Sequence, residues 1–158
     1  MHTDRPDWSD LVTLDIEDCH NPDVVWDLEG PDPLPFPDNH FDEIHAYHVL
    51  EHTGRQGDWR FFFRQWSDFW RIMKPDGVFF GICPDVTSPW AWGDPGHTRL
   101  VTLQCLTFLE RPQYQKQIGA TAMTDYRSVF QGDFDLLLNQ SNGDEFRFAL
   151  QAIKPARV

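Results

Sequence analysis

The stretch Leu34-Pro35-Phe36-Pro37-Asp38-Asn39-His40-Phe41-Asp42-Glu43-Ile44, running on into His45-Ala46-Tyr47-His48-Val49-Leu50-Glu51-His52, decides how this chain is read. The four prolines from Pro31 to Pro37 hold an extended loop, and Pro37-Asp38-Asn39 closes it as a turn. Phe41–Leu50 then reads as a strand. A run that is apolar on both faces suits a strand buried in a parallel sheet better than one half-exposed in a meander.

Working outward, Leu11–Ile16 and Val24–Leu28 are two further short strands, each with an acid near its end and the turn Asn21-Pro22-Asp23 between them. The first ten residues are polar and read as a cap or loop. Downstream, Asp58 is placed to cap a helix over Asp58–Lys74. Trp59, Phe62, Phe63, Trp66, Phe69, Trp70 and Met73 recur at spacings of three and four, one face of a 3.6-residue period. Arg60, Arg64, Gln65, Asp68 and Arg71 fall largely on the opposite side. Lys74-Pro75-Asp76-Gly77 stops the helix with a cation and a breaker. Val78–Cys83 is the next strand, and a loop rich in Trp, Pro and Gly runs from Pro84 to His97. Leu100–Glu110 reads as a second helix and Arg111–Ser128 as broken helix. Phe134–Asn139 and Glu145–Ile153 form a closing hairpin around Ser141-Asn142-Gly143-Asp144. Strands separated by helices and followed by a hairpin give an α/β fold: a mostly parallel sheet with helices on both faces and an antiparallel C-terminal edge.

A chain of 158 residues is long enough for one core, so a single domain over 1–158 is expected. The net charge of −12 repels phosphate backbones and anionic lipid, which disfavours nucleic acid and membranes as partners. Cys19, Cys83 and Cys105 are odd in number and widely spaced, so neither a disulfide framework nor a zinc knuckle is expected. Without an apolar leader or a membrane-length run, the expected location is the cytoplasm.

Four pieces occur in order: Leu14-Asp15-Ile16; Val25-Trp26-Asp27-Leu28 with the Leu34–Ile44 stretch; His48-Val49-Leu50-Glu51-His52; and Arg71-Ile72-Met73-Lys74-Pro75-Asp76-Gly77. Together they resemble class I, Rossmann-like methyltransferases of the small methyltransferase-domain type, over roughly Leu11–Cys83. The resemblance implies S-adenosylmethionine as cofactor and a small molecule or protein as methyl acceptor. It also implies site residues. Asp15, with Ile16, would accept hydrogen bonds from the ribose hydroxyls, and Asp27, with Leu28, would meet the adenine. Tyr47 and His48 would reach the crevice at the carboxyl end of their strand. Glu51 and His52 are candidates for acid, base or orienting roles on the acceptor, and His97, in the loop that carries Trp90 and Trp92, for lining its pocket. No metal is expected.

The sequence departs from that pattern in one respect. A glycine-rich turn belongs about 20 residues before the ribose acid, and Asp15 is the fifteenth residue. The reading therefore has the first strand and its loop missing, and cofactor affinity weakened accordingly. Leu11–Ile16 is then expected to pair directly with Phe41–Leu50. Failing that, the Met1–Asp10 segment or a second copy docked on the open sheet edge would cover it. Two rival readings are a non-catalytic acidic interaction domain of the same fold and a zinc hydrolase using His48-x-x-Glu51-His52. The second needs both histidines one turn apart on a helix, where the sequence reads strand and then Thr53-Gly54.

Overall fold

A computed structural model describes residues 9–158, which form two compact units, one ending at Leu34 and one spanning Pro35–Val158. The expectation for the Met1–Asp10 segment falls almost wholly outside the described residues.

In the first unit, β1 (Leu14–Asp15) and β2 (Val24–Val25) pair in parallel, Leu14 opposite Val24 and Asp15 opposite Val25. The pairing is fixed locally. Asp23 Oδ2 accepts from the Thr13 amide (2.7 Å) and hydroxyl (2.8 Å), and Thr13 Oγ1 accepts from the Asp23 amide (3.0 Å). The main chain extends the ladder, with Val24 N donating to Thr13 O and Trp26 N to Asp15 O. The strands are shorter than the expected Leu11–Ile16 and Val24–Leu28, and the backbone of the first turns to the second. The expected pairing of Leu11–Ile16 with Phe41–Leu50 is not made.

In the second unit, β3 (Phe41–Tyr47), β4 (Met73–Pro84), β5 (Phe134–Ser141) and β6 (Glu145–Ala152) form one sheet of order β3-β4-β6-β5. The first pair is parallel and the other two antiparallel. The Rossmann-like α/β class holds. The four N-terminal strands, however, fall into two separate parallel pairs rather than one sheet, and the hairpin makes half of the pairings antiparallel. Strand β3 stops at Tyr47 because His48 turns into the left-handed region (φ 52°). Strand β4 begins early because the incoming chain clips onto the end of the preceding helix, with Asn39 N donating to Arg71 O and His40 N to Ile72 O.

That helix, α1 (Trp59–Ile72), is capped by Asp58, whose carboxylate accepts from Phe61 N at 3.0 Å. Its buried face is Phe61, Phe63, Gln65, Trp66, Phe69 and Ile72, turned slightly from the expected one: Phe62 is only half-buried and Gln65 points inward. The expected Leu100–Glu110 helix is broken into α3 (Leu103–Leu106) and a 3-10 turn (Thr107–Leu109), after the short α2 (Trp90–Gly93). Glu110 is extended, and Pro112 sits in the first turn of α4 (Arg111–Gln117), where a missing N–H costs nothing. No helix among the described residues is long and apolar enough to cross a membrane.

The core is aromatic. Trp66, 1% exposed, has ring centroids 4.9 Å from Phe79, 5.6 Å from Phe69, 5.8 Å from Phe134 and 6.3 Å from Phe148. Beneath it, Gly81 on β4 lies opposite Phe148 on β6, whose ring covers the bare backbone. A Cβ at Gly81 would stand 2.2 Å from that ring. Trp66→Ala should cost about 3–5 kcal/mol, as large core truncations do. Gly81→Ala should cost about 1–3 kcal/mol through overpacking. Urea denaturation measures both, and a neutral result at either position would contradict the packing described.

Candidate functional site

Strands β3 and β4 are parallel, so the loops that leave their carboxyl ends emerge on the same side of the sheet. The loop after β3 carries His48, Glu51 and His52; the loop after β4 carries His97. His48 donates its amide to Ile82 O (2.8 Å) in the strained left-handed conformation, a geometry that tends to persist at functional sites. Leu50–His52 then forms a 3-10 turn that buries Glu51 to 2% exposure.

A buried arginine holds the two loops together. Arg99 Nε donates to Leu50 O (2.8 Å), and Nη2 donates to Thr53 Oγ1 (3.0 Å) and Gln65 Oε1 (2.5 Å). Gln65 Nε2 closes the triangle on Thr53 Oγ1 at 3.0 Å. The backbone repeats the clamp: Thr98 N donates to Glu51 O at 2.9 Å and Gln56 N to Thr98 O at 3.0 Å. His97, one residue before this clamp, is thereby delivered to His52, with ring centroids 4.6 Å apart and planes at 73°.

The two rings are held alike. His52 Nδ1 is 3.2 Å from Gly96 O, and His97 Nδ1 is 2.8 Å from Trp90 O. A carbonyl oxygen can only accept, so each δ nitrogen carries the proton, and in the neutral ring each ε nitrogen keeps its lone pair. Glu51 Oε1 meets His48 Nδ1 at 3.2 Å, and His48 Nε2 is 3.4 Å from Glu145 Oε1. Glu145 reaches it because it opens β6 opposite Pro84. Glu51 Oε2 is buried with no nitrogen or oxygen partner. Beside it the Cys83 thiol is pushed far up, chiefly by burial and then by the Glu51 charge, so it faces the carboxylate as a neutral S–H. One ligand-type atom from each of Glu51, His52 and His97 lies within 4.8 Å of the other two.

The candidates in the first unit stand at the carboxyl end of the β1–β2 pair. Asp15 Oδ1 accepts from Glu17 N (2.9 Å), and Oδ2 faces His20 Nδ1 (3.1 Å). The Glu17 amide does most to hold the Asp15 carboxyl below its usual range. Asp27 Oδ1 accepts from Glu29 N (2.8 Å). Both acids are partly engaged in local turns, but a carboxylate offers about four acceptor sites, so each keeps capacity. Ile16 is exposed and Leu28 half-buried. In the second unit the Tyr47 hydroxyl lies 2.7 Å from His45 Nδ1, so Tyr47 is engaged along its own strand.

The geometry defines a class: a Rossmann-like α/β protein whose first unit carries acids at the end of a parallel strand pair and whose second unit carries a carboxylate–imidazole cluster in the loops after its own parallel pair. Residues 10–81, a little under half of the chain, match the family model described as a methyltransferase domain. Residues 10–81 are thus similar to methyltransferase domains, and the fold is that of class I, Rossmann-like structures. Among solved structures it is similar to a SAM-dependent methyltransferase from Archaeoglobus fulgidus, at 14% identity and a TM-score of 0.51, over 87% of this chain and 74% of that one. It is also similar to a SAM-dependent methyltransferase from Methanosarcina mazei (14%, TM-score 0.43, 82% and 66%) and to the YcgJ protein of Bacillus subtilis (22%, TM-score 0.38, 87% and 72%). No curated protein matches the chain.

Sequence reasoning singled out Glu51, His52 and His97, and the structure brings those three together. It missed Thr53, Gln65, Arg99 and Glu145. Gln65 was assigned to the polar face of α1, and Arg99 follows the loop with no periodic pattern around it. The clamp implies strong coupling between its members. Arg99→Met and Gln65→Leu should each cost roughly 2–4 kcal/mol by leaving buried polar groups unpaired. Their double-mutant cycle should show a coupling of about 0.5–3 kcal/mol. Strict additivity in urea denaturation would rule out the network.

Proposed function

We propose that this chain transfers a methyl group from S-adenosylmethionine to an acceptor seated against Glu51, His52 and His97, with 1–158 working as one methyltransferase-like domain. The observation that carries the reading is the Glu51–His52–His97 cluster, placed beyond the carboxyl ends of parallel strands, where open α/β sheets bind ligands. The donor chemistry in the first unit fits the cofactor. Asp15 and Asp27 present carboxylate oxygens at the same end of the β1–β2 pair, suited to ribose hydroxyls and to an adenine amino group. S-adenosylmethionine supplies an electrophilic methyl on a sulfonium centre. In the second unit, the lone pairs on His52 Nε2 and His97 Nε2 can orient an acceptor and take its proton. The acidity of the chain directs the acceptor away from phosphate polymers and towards a small molecule or a protein.

Titrating the full chain with S-adenosylmethionine by calorimetry tests the reading. Saturable binding is expected, and Asp15→Ala should weaken it by at least about tenfold, since hydrogen bonds to a charged acceptor are worth roughly 1.5–3 kcal/mol. Binding equal in the mutant and the parent would remove Asp15 from the site, and no binding to the parent would overturn the function.

A further inference from the structure

The lone pairs that can take a proton can also hold a cation. We propose that Glu51, His52 and His97 form a binding site for a first-row divalent transition metal of the zinc type, using one carboxylate oxygen and the two ε nitrogens. Three independent features support it. One ligand-type atom from each of the three residues already lies within 4.8 Å of the other two. A tetrahedral ion with bonds of about 2.0–2.1 Å needs them roughly 3.4 Å apart, a closure within reach of small rotations of the exposed His52 ring and the half-exposed His97 ring.

The second feature is the setting of the rings. Metal-binding imidazoles characteristically donate their other N–H to a carbonyl or carboxylate, which fixes the tautomer and turns the free nitrogen to the ion. His52 does so on Gly96 O and His97 on Trp90 O. The third is Glu51. Its Oε2 is buried without a nitrogen or oxygen partner, which costs free energy that a cation would recover, while Oε1 is steadied by His48. This arrangement is not the helical His-x-x-Glu-His zinc motif. His48 sits in the left-handed region before a 3-10 turn, and the third ligand comes from a loop 45 residues further on.

Two imidazoles and a carboxylate select against magnesium and calcium, which prefer all-oxygen sites, and favour zinc and its neighbours. Three protein ligands leave a fourth position open. An oxygen or nitrogen acceptor bound there would lose its proton more readily, which is the role proposed for the same residues in methyl transfer. Metal binding itself does not depend on that reading, because it is measured without the methyl donor.

The test is calorimetric titration of the full, metal-stripped chain with zinc chloride, backed by cobalt substitution and visible absorption. One zinc per chain is expected. Binding should weaken by at least about tenfold in both His52→Ala and His97→Ala, stay unchanged in His40→Ala, and resist millimolar magnesium. Far-ultraviolet circular dichroism checks that the variants fold. The two exposed-side histidines keep the test decisive even if Glu51→Gln fails to fold. No saturable zinc binding, binding in either histidine variant equal to that of the parent, or displacement by magnesium would overturn the site. S-adenosylmethionine binding without zinc binding would overturn it while leaving the proposed function in place.

Discussion

The second unit depends on a charge that water cannot reach. Arg99 is 6% exposed, and a guanidinium remains ionised inside a protein, so its N–H groups must find acceptors. It finds them on two elements at once: Leu50 O and Thr53 in the turn after β3, and Gln65 on α1, with its charge also above the Phe61 ring. No hydrophobic contact could be so specific. Apolar surfaces slide at little cost, whereas a forked donor that loses alignment leaves buried polar atoms unpaired. The arginine fixes where residues 50–53 lie against residues 97–99, and the spacing of His52 and His97 follows.

Two strained or crowded positions complete that frame. His48 adopts a conformation that costs a residue with a Cβ free energy, and it ends β3 one residue after Tyr47. The turn could not otherwise begin early enough to bury Glu51. Gly54, two residues past His52, has φ 71° and would place a Cβ 2.3 Å from the Phe61 ring. A side chain there would press on the ring that underlies Arg99. The turn is thus held from below by packing and from the side by hydrogen bonds, and these constraints meet at Phe61.

Much of this is legible in the sequence. The 3.6-residue aromatic period gave α1 to within two residues at either end, and the turn Ser141–Asp144 gave the hairpin, because both signals are local. Strand association was not local. Thr13 and Asp23 lock β1 to β2 through side-chain bonds that no periodicity reports, so the expectation of one parallel sheet failed. The second helix failed for a similar reason. Its apolar period continues, yet Thr102 is extended and caps a helix that begins only at Leu103, and the chain tightens to a 3-10 turn at Thr107–Leu109. Of the site, the histidines and Glu51 were legible as chemistry. Arg99 and Gln65 were not, since a buried polar residue has the same letter as an exposed one.

Why the cluster forms where it does follows from strand direction. A fold hosts many chemistries and does not choose among them, so function has to be argued from the site. Here the site is a consequence of one parallel pair. Because β3 and β4 run the same way, the chain leaves both at the same edge, and two loops that are distant in sequence must share that space. Strand β6 runs the opposite way, so its first residue, Glu145, rises to the same edge and meets His48. Had β3 and β4 been antiparallel, His52 and His97 would have opened at opposite ends of the sheet. The mixed sheet therefore does more than bury aromatics: its one parallel junction and the adjoining antiparallel strand gather His48, Glu51, His52, His97 and Glu145 into a single acid-and-imidazole edge.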